Sequence, residues 1–220
     1  MDTLSQQLIT LERVPDLSSP LFRPCSEVLR KSIPSSEQLS DQRLTQLLAR
    51  DDYRMYALLL NDAVAATAIL YLPRAEDFVL LDYMAVRADL RNRGLGSMLF
   101  QEVVKTASRE RPAASFLFFE VDDDRGVGDA APSINRRRIE FYRRLGAKLL
   151  VNAEYVFPSS TGSGVPMRLM VYRLRPETEL LQISVGRAVE NIFREVHGRG
   201  KDDTLLRSIV DHLPSRLIME

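Results

Sequence analysis

The sequence predicts a mixed α/β domain that ends in a helical tail. Three observations favour this fold class: short apolar segments separated by turn-forming residues, alternating strand-like and helix-like periodicity in the middle of the chain, and no strand-like segment after Pro176. With 220 residues, of which 45% are hydrophobic, the chain is long enough to bury a core. We therefore expect one domain over residues 1–176 and a helical appendage over residues 177–220.

The first half of the chain predicts two helices and then three strands. The helical segments are separated around Pro34, and the first two strands meet at Asn61-Asp62, a pair of turn formers that predicts a hairpin. The expected helices cover residues 17–31 and 37–50, and the expected strands cover residues 53–60, 64–72 and 78–86.

The second half alternates helix and strand before it becomes helical throughout. A helix that begins at Gly94 cannot pass Pro112, and Gly146 marks the end of another. The order strand, helix, strand, helix, strand implies a parallel crossover within a mixed sheet. The expected strands are residues 78–86, 115–121, 147–157 and 167–175, and the expected later helices are residues 134–145, 177–196 and 203–213.

Composition limits the classes of function. The 30 basic and 30 acidic side chains cancel, so the whole chain has no excess charge to hold nucleic acid or an anionic membrane. The single cysteine, Cys25, excludes an internal disulfide, and both histidines, His197 and His212, lie in the tail, which argues against a Cys/His metal cluster. Residues 1–5 do not resemble a secretory signal, and the longest nearly apolar run, residues 63–72, is about half of a membrane span. We expect a cytoplasmic protein with no metal, no membrane and no nucleic acid partner.

A cation-rich loop with two glycines joins the third strand to the next helix. A helix start has backbone N–H groups without intrahelical partners and a partial positive charge, so small residues there let a phosphate approach. Gly94 and Gly96 supply that room, and Arg87, Arg91 and Arg93 add positive charge. The loop lacks the third glycine of a Rossmann fingerprint and the Gly-Lys-Ser/Thr of a Walker loop. We expect a phosphorylated ligand other than a nucleoside triphosphate; the alternative is a plain structural turn.

The spacing of Arg91, Gly94 and Gly96 resembles the Gln/Arg-x-x-Gly-x-Gly/Ala signature of the GNAT superfamily of acyl-CoA-dependent N-acyltransferases. The resemblance implies that backbone amides of the loop hold the pyrophosphate of coenzyme A and that the end of the preceding strand pairs with its pantetheine arm. Asn92 stands where many members have glycine, and this difference does not remove the backbone amide. The implied cofactor-binding residues are Met84, Ala85, Val86, Arg91, Asn92, Arg93, Gly94, Leu95, Gly96 and Ser97.

A second segment resembles the same family. Asn135, Tyr142 and Gly146 match the pattern Asn-x-x-Ala-x-x-x-Tyr-x-x-x-Gly-Phe, with Arg138 in place of the usual small residue. The two segments occur in the family's order and together cover about residues 78–157. The resemblance implies a GNAT-type, mostly antiparallel mixed sheet with a central parallel crossover and flanking helices, and it adds Asn135 and Arg138 to the cofactor-binding residues.

Acetyl transfer to an amine requires both a proton acceptor and a proton donor. An alkyl ammonium near pH 7 is deprotonated in only about one molecule in two thousand, so a base must take its proton. A phenol suits the protonation of the departing thiolate. In the GNAT resemblance Tyr142 is this acid; its other interpretation is a core aromatic residue on an amphipathic helix.

Two carboxylates, Asp82 and Glu120, interrupt strands that are otherwise apolar. By the two-residue period Asp82 shares a face with Met84, and Glu120 shares a face with Phe118. We expect burial to raise the carboxyl pKa, as a base that works near neutrality requires. GNAT relatives with a Leu-Glu-Val strand place a base at the position of Glu120, whereas either carboxylate can instead pair with an arginine as a structural link.

Two runs of like charge have two interpretations each. The aspartates at residues 122–124 can attract a cationic amine or form a solvated loop. The arginines at residues 136–138 can contact cofactor phosphates or cover an exposed helix face. The sequence favours neither interpretation of the arginines.

The resemblance to the GNAT superfamily implies an N-acetyltransferase that moves an acetyl group from acetyl-CoA directly to a primary amine of a small molecule or peptide. Cys25 is in an N-terminal helix, so we expect no covalent acetyl-enzyme. The alternatives are a catalytically inactive coenzyme A-binding sensor or scaffold and a nucleic-acid-binding protein that uses the arginine-rich helix. The tail is a dimerisation element, a lid, or a helical pair that caps the sheet. A homodimer is therefore one of the possible forms of the protein.

Overall fold

The computed structural model describes residues 8–33, 40–125, 131–158 and 164–220. The chain folds into two compact units: Met1–Ala75 with Val79–Ala113, and Glu76–Phe78 with Ala114–Glu220. In chain order the elements are β1 (Ile9–Val14), α1 (Phe22–Ser32), α2 (Asp41–Leu48), β2 (Tyr53–Leu60), β3 (Ala63–Tyr71), β4 (Phe78–Val86), α3 (Leu95–Glu110), β5 (Phe116–Asp122), α4 (Ala131–Arg144), β6 (Lys148–Leu149), β7 (Tyr155–Pro158), β8 (Gly164–Arg173), α5 (Gln182–Asn191) and α6 (Thr204–Asp211).

The first unit is built on antiparallel strands. β2 pairs with β1 and β3, and β3 pairs with β4. Asn61 and Asp62 connect β2 to β3 with φ of 49° and 63°, the left-handed pair that a two-residue hairpin turn requires. α1 and α3 pack against β3, and α2 packs against β2. The predicted hairpin and the strand over residues 78–86 are confirmed, and α2 occupies part of the helix predicted over residues 37–50, of which residues 37–39 lie outside the described residues.

The second unit is built on β8, which pairs antiparallel with β5, β6 and β7. α4 packs against β5 and β6, α6 packs against β7, and α5 packs against α6. The end of the chain also joins this unit, because Leu149 and Glu220 exchange two backbone hydrogen bonds of 2.8 and 3.1 Å. The segment after Pro176 is therefore attached to the β5–β8 strands by helix packing and by its last residues.

Two predictions for the N-terminal residues are corrected. A helix over residues 17–31 would carry Pro20 and Pro24 in its interior; α1 instead begins at Phe22, which places Pro24 in the first turn, where a missing N–H breaks no hydrogen bond. Strand β1 was not predicted, and it pairs with β2 along its length.

The strand predicted over residues 147–157 is two strands, β6 and β7. Asn152, between them, binds the C-terminal segment: its Oδ1 accepts from the Ile218 N–H and its Nδ2 donates to the Arg216 carbonyl, both at 2.8 Å. These contacts fix a turn in the middle of the apolar run, so the run cannot continue as one strand.

The helix predicted over residues 177–196 is shorter and has a different end. It is α5, followed by one turn of π-helix at Ile192–Val196. His197 comes next, and Gly198 then reverses the chain with φ of 66°. His197 is therefore the C-cap residue of this π turn.

Asp203→Ala is expected to lower the free energy of unfolding by about 1 kcal/mol, because Asp203 is the N-cap of α6. Its carboxylate accepts from the N–H groups of Leu205 and Leu206 at 2.9 and 3.1 Å. The matched control is Asp202→Ala, since Asp202 is 88% exposed and pairs with Arg207 in water, where an ion pair contributes little. Urea unfolding measures both variants, and equal losses would contradict the capping role.

Candidate active site

The loop between β4 and α3 presents backbone donors at the start of α3. Gly94 is the N-cap residue with φ of 82°, and its carbonyl accepts from the Met98 N–H at 3.1 Å. The N–H groups of Leu95, Gly96 and Ser97 precede that bond and have no place in the intrahelical ladder. A Cβ on Gly94 would meet no atom of the described residues within 4 Å. The loop therefore combines backbone amides with open space, as anion binding at a helix start requires.

The charged residues of this loop have different roles. Arg87 makes two hydrogen bonds to the carboxylate of Asp89, at 2.8 and 2.9 Å, so its charge is paired. Nε of Arg91 donates to the last carbonyl of β4 at 3.4 Å, and the side chains of Arg91 and Arg93 are exposed. Asn92 has φ of 61°, a conformation that asparagine tolerates better than most residues. This conformation explains how an asparagine replaces a glycine here.

Asp82 lies at an irregularity of β4. The register between β3 and β4 shifts where Ile69 and Leu70 pair with Tyr83 and Leu81, so Asp82 is an extra residue in the ladder. The regular two-residue alternation expected across Asp82 is therefore wrong. Its negative charge adds to burial in raising the pKa of the phenol of Tyr53, which lies on β2 in the same unit.

Glu120 belongs to a buried group of side chains that the sequence did not predict. Its Oε1 accepts a hydrogen bond from the Tyr155 hydroxyl at 2.5 Å and lies 3.2 Å from Nε2 of His197. The side chains of Glu120 and His197 are only 10% and 8% exposed. The rings of Phe157 and Phe193 pack edge-on against the imidazole, with centroids at 4.7 and 5.7 Å. We call Glu120, Tyr155 and His197 the Glu120 cluster.

The pKa of Glu120 lies below its ordinary value, contrary to the expectation that burial alone would raise it. Burial does act to raise this pKa, but the charge of the His197 imidazole and the hydrogen bonds from His197 and Tyr155 lower it by more. Glu120 is therefore ionised at neutral pH. A carboxylate stabilised in this way is a weak base by itself.

No local pattern connects the members of the Glu120 cluster. Tyr155 and His197 are 35 and 77 residues from Glu120 along the chain. From the sequence, the position of His197 in the tail indicated only that a Cys/His metal cluster was not expected. One further feature of the sequence could have pointed to His197: it lies directly before Gly198, at the point where the helical periodicity stops.

Tyr142 lies on the other face of β5. Its ring packs against Phe119 and Phe141, with centroids at 4.5 and 5.0 Å, and burial raises the pKa of the phenol to about 12 against the opposing charge of Arg138. Phe119 and Glu120 are consecutive residues of a regular strand, so their side chains point to opposite faces. The candidate acid and the candidate base are therefore separated by the backbone of β5.

The aspartates at residues 122–124 pair with arginines, and two of those arginines come from α4. Nδ2 of Asn135 also donates to the backbone carbonyl of Asp123 at 2.9 Å, which attaches α4 to this run. The run is thus neither a solvated loop nor a set of free charges for an amine. The pairs are Asp122 with Arg138, Asp123 with Arg125 and Arg168, and Asp124 with Arg136 and Arg168.

Three further observations concern the chemistry of the chain. Burial raises the pKa of the Cys25 thiol to about 11, so this thiol is protonated at neutral pH. Among the residues that the structure describes, no three His, Cys, Asp or Glu side chains form a group that can hold a metal ion. Within the same ranges, no helix has the length and apolar character needed to cross a membrane.

Comparison with known proteins identifies the family. Residues 19–147 match the model of the acetyltransferase (GNAT) family. No curated protein sequence matches the chain. The matched residues include both segments on which the sequence resemblance depends.

Solved structures share the fold over most of the chain. A protein of Bacteroides thetaiotaomicron assigned to the GNAT acetyltransferases superposes with a TM-score of 0.70 at 19% identity, over 87% of this chain and 99% of that one. The ribosomal-protein-S18-alanine N-acetyltransferase of Escherichia coli gives 0.54 at 18% identity, over 79% and 99% of the two chains. An aminoglycoside 6'-N-acetyltransferase complexed with coenzyme A gives 0.56 at 16% identity, over 78% and 99%. The predicted fold class, a GNAT-type and mostly antiparallel α/β fold with C-terminal helices, is thereby confirmed. Because the family model spans more than half of its residues, the chain belongs to the GNAT family of acetyltransferases.

Proposed function

We propose that this acyltransferase moves an acetyl group from acetyl-CoA directly to a primary amine of a small molecule or a peptide. The observation that carries the proposal is the loop of residues 91–97, where backbone amides, open space and two exposed arginines meet at a helix start. Two proteins of the same fold are named for an aminoglycoside and for an alanine of a ribosomal protein, which represent both acceptor classes.

The proposed cofactor contacts are assigned residue by residue. In the first unit, the N–H groups of residues 95–97 with Arg91 and Arg93 bind the pyrophosphate, and the backbone of Met84, Ala85 and Val86 binds the pantetheine arm. Asn135 and Arg138 of α4 are also proposed to contact the cofactor. We further propose that residues 1–176 form the acyltransferase domain and that residues 177–220 are its appendage.

The proton transfers are assigned to two sites. Tyr142 is the proposed acid, because its phenol has a pKa of about 12 and is therefore protonated at neutral pH, so that it has a proton to give to the departing thiolate. The Glu120 cluster is the proposed acceptor of the amine proton, and Asp82 is the competing carboxylate. The buried, protonated thiol of Cys25 favours direct transfer over an acetyl-enzyme.

Coenzyme A is expected to raise the melting temperature, since a ligand that binds only the native state stabilises it by about 2.7 kcal/mol at one hundred times its Kd. Pantetheine, which lacks the pyrophosphate, is the matched control and should give a much smaller shift at the same concentration. Turnover is then measured as thiol release from acetyl-CoA with a panel of amines. Cys25 is fully buried, so a thiol reagent reports the released coenzyme A.

The two measurements separate the rival functions. A thermal shift together with amine-dependent thiol release supports the proposal. A shift without release, for every amine of the panel, identifies a coenzyme A-binding sensor or scaffold instead. Equal shifts with coenzyme A and pantetheine would contradict the assignment of the loop.

A further inference from the structure

We propose that His197 takes the proton from the attacking amine and that Glu120 is the positioning residue that orients its imidazole. The proposal rests on the proposed function and deepens it, because it assigns a catalytic role to the segment after Pro176. Three observations support it: Nε2 of His197 lies 3.2 Å from Oε1 of Glu120, both side chains are buried, and two aromatic rings hold the imidazole edge-on. A base that is oriented by a carboxylate is a recurrent arrangement in acyl transfer.

The contact with Glu120 determines which imidazole nitrogen is basic. Oε1 of Glu120 accepts from the Tyr155 hydroxyl and faces Nε2 of His197, and this acceptor position requires Nε2 to carry the hydrogen. The Tyr155 hydroxyl donates to the same Oε1 and leaves no proton there to share. The lone pair of the neutral imidazole is therefore on Nδ1, and Nδ1 is the atom that takes the proton.

The backbone around His197 holds the ring in this orientation. The His197 N–H donates to the Ile192 carbonyl at 3.0 Å and closes the π turn, and the Arg199 N–H donates to the Phe193 carbonyl at 2.8 Å. Phe193 is fully buried and packs edge-on against Tyr155 as well, with centroids at 6.2 Å. One side chain thus fixes both hydrogen-bond partners of Glu120, which gives the preorganisation that a catalytic group needs.

Several other charged groups of the neighbouring elements are paired among themselves. Leu169 lies opposite Glu120 on β8, and Tyr155 is the titratable group that faces Glu120 from β7. Asp122 of β5 pairs with Arg138. In the segment that follows α5, Arg194 pairs with Glu195 and Arg199 pairs with Asp203, and Arg207 of α6 pairs with Asp202.

The proton balance of the reaction assigns one proton to His197. An ammonium acceptor loses two protons when it becomes an amide. The first moves to Nδ1 of His197, and the amine then forms the C–N bond as the C–S bond of the thioester breaks. The nitrogen then loses its second proton and the sulfur takes up one, so the second product is the thiol of coenzyme A. His197 finally releases the first proton to solvent.

His197→Gln tests the proposal, because glutamine keeps an N–H donor for Glu120 but has no basic nitrogen. We expect kcat/KM for the amine to fall by about one hundred to ten thousand fold, the usual loss for a general base. The acidic limb of the pH–rate profile should disappear, while KM for acetyl-CoA and the coenzyme A thermal shift stay unchanged. His212→Gln is the matched control, because His212 is the other histidine of the chain and contacts the Ser208 carbonyl on the surface.

Carboxylate variants decide which group is the base. Glu120→Gln should lower kcat/KM for the amine but keep an acidic limb, since the basic nitrogen of His197 is still present. An acidic limb that persists in His197→Gln and vanishes in Glu120→Gln would make Glu120 the base and overturn the proposal. Loss of the limb in Asp82→Asn would overturn it too, by placing the base on β4.

Histidine NMR separates failure of this proposal from failure of the proposed function. In the His212→Gln background one imidazole remains, and at a pH above the acidic limb its ¹⁵N shifts should show hydrogen on Nε2. An active enzyme with hydrogen on Nδ1 instead overturns the base assignment alone. An enzyme with the expected tautomer that releases no thiol with any amine overturns the proposed function, and the base role of His197 with it.

Discussion

Gly96→Glu is expected to abolish the coenzyme A-dependent rise in melting temperature. Gly96 is the second residue of α3, and its N–H belongs to the group that precedes the first intrahelical bond. A glutamate there places bulk and negative charge where the pyrophosphate would bind, which opposes binding sterically and electrostatically. The stabilisation of about 2.7 kcal/mol expected at one hundred times Kd should fall to nearly zero.

The fold should survive this change, so the result reports on binding. An acidic side chain in the first turn interacts favourably with the helix dipole, and glutamate has a higher helix propensity than glycine. Gly96→Ala is the matched control, because it adds a methyl group without charge. Isothermal titration with coenzyme A measures both variants. If Gly96→Glu keeps its ligand-free melting temperature and still binds coenzyme A with the wild-type Kd, the loop does not hold the pyrophosphate.

The parts of the fold that the sequence predicts well have local causes. The β2–β3 hairpin depends on Asn61 and Asp62, which adopt left-handed φ in a two-residue turn. The stop of α4 depends on Gly146, which has φ of 93°. The break between β6 and β7 has a distant cause, because Asn152 bonds to the backbone of residues 64 and 66 positions later. An apolar run cannot reveal such a partner.

The candidate site likewise has some features with local causes, which the sequence predicts, and others that depend on distant residues. The glycine loop is predictable because the left-handed conformation of Gly94 and the helix start beside it are properties of adjacent residues. Charge pairing is not predictable, since Asp122 meets Arg138 across sixteen positions and Glu120 meets His197 across 77. The error about the pKa of Glu120 follows directly, because burial was visible in the sequence and the imidazole was not.

Tyr142→Phe is expected to lower kcat by about one hundred to ten thousand fold at saturating substrates, the range for loss of a general acid. Phenylalanine keeps the ring contacts with Phe119 and Phe141, at 4.5 and 5.0 Å, and removes only the hydroxyl. The melting temperature and the coenzyme A thermal shift should therefore stay close to those of the wild type. Steady-state thiol release measures kcat, with the amine that proves active in the panel.

Tyr56→Phe is the control that makes this result specific. Tyr56 is also buried, on β2, and burial raises the pKa of its phenol to about 12 as well, so the two changes remove the same group from similar surroundings. A structural role predicts similar, small effects of both variants on kcat. An acid role predicts a large loss for Tyr142→Phe alone, because only that phenol delivers its proton to the departing thiolate. The raised pKa also means that Tyr142 stays protonated well above neutrality, so its loss should lower the rate across the neutral range without creating a new basic limb.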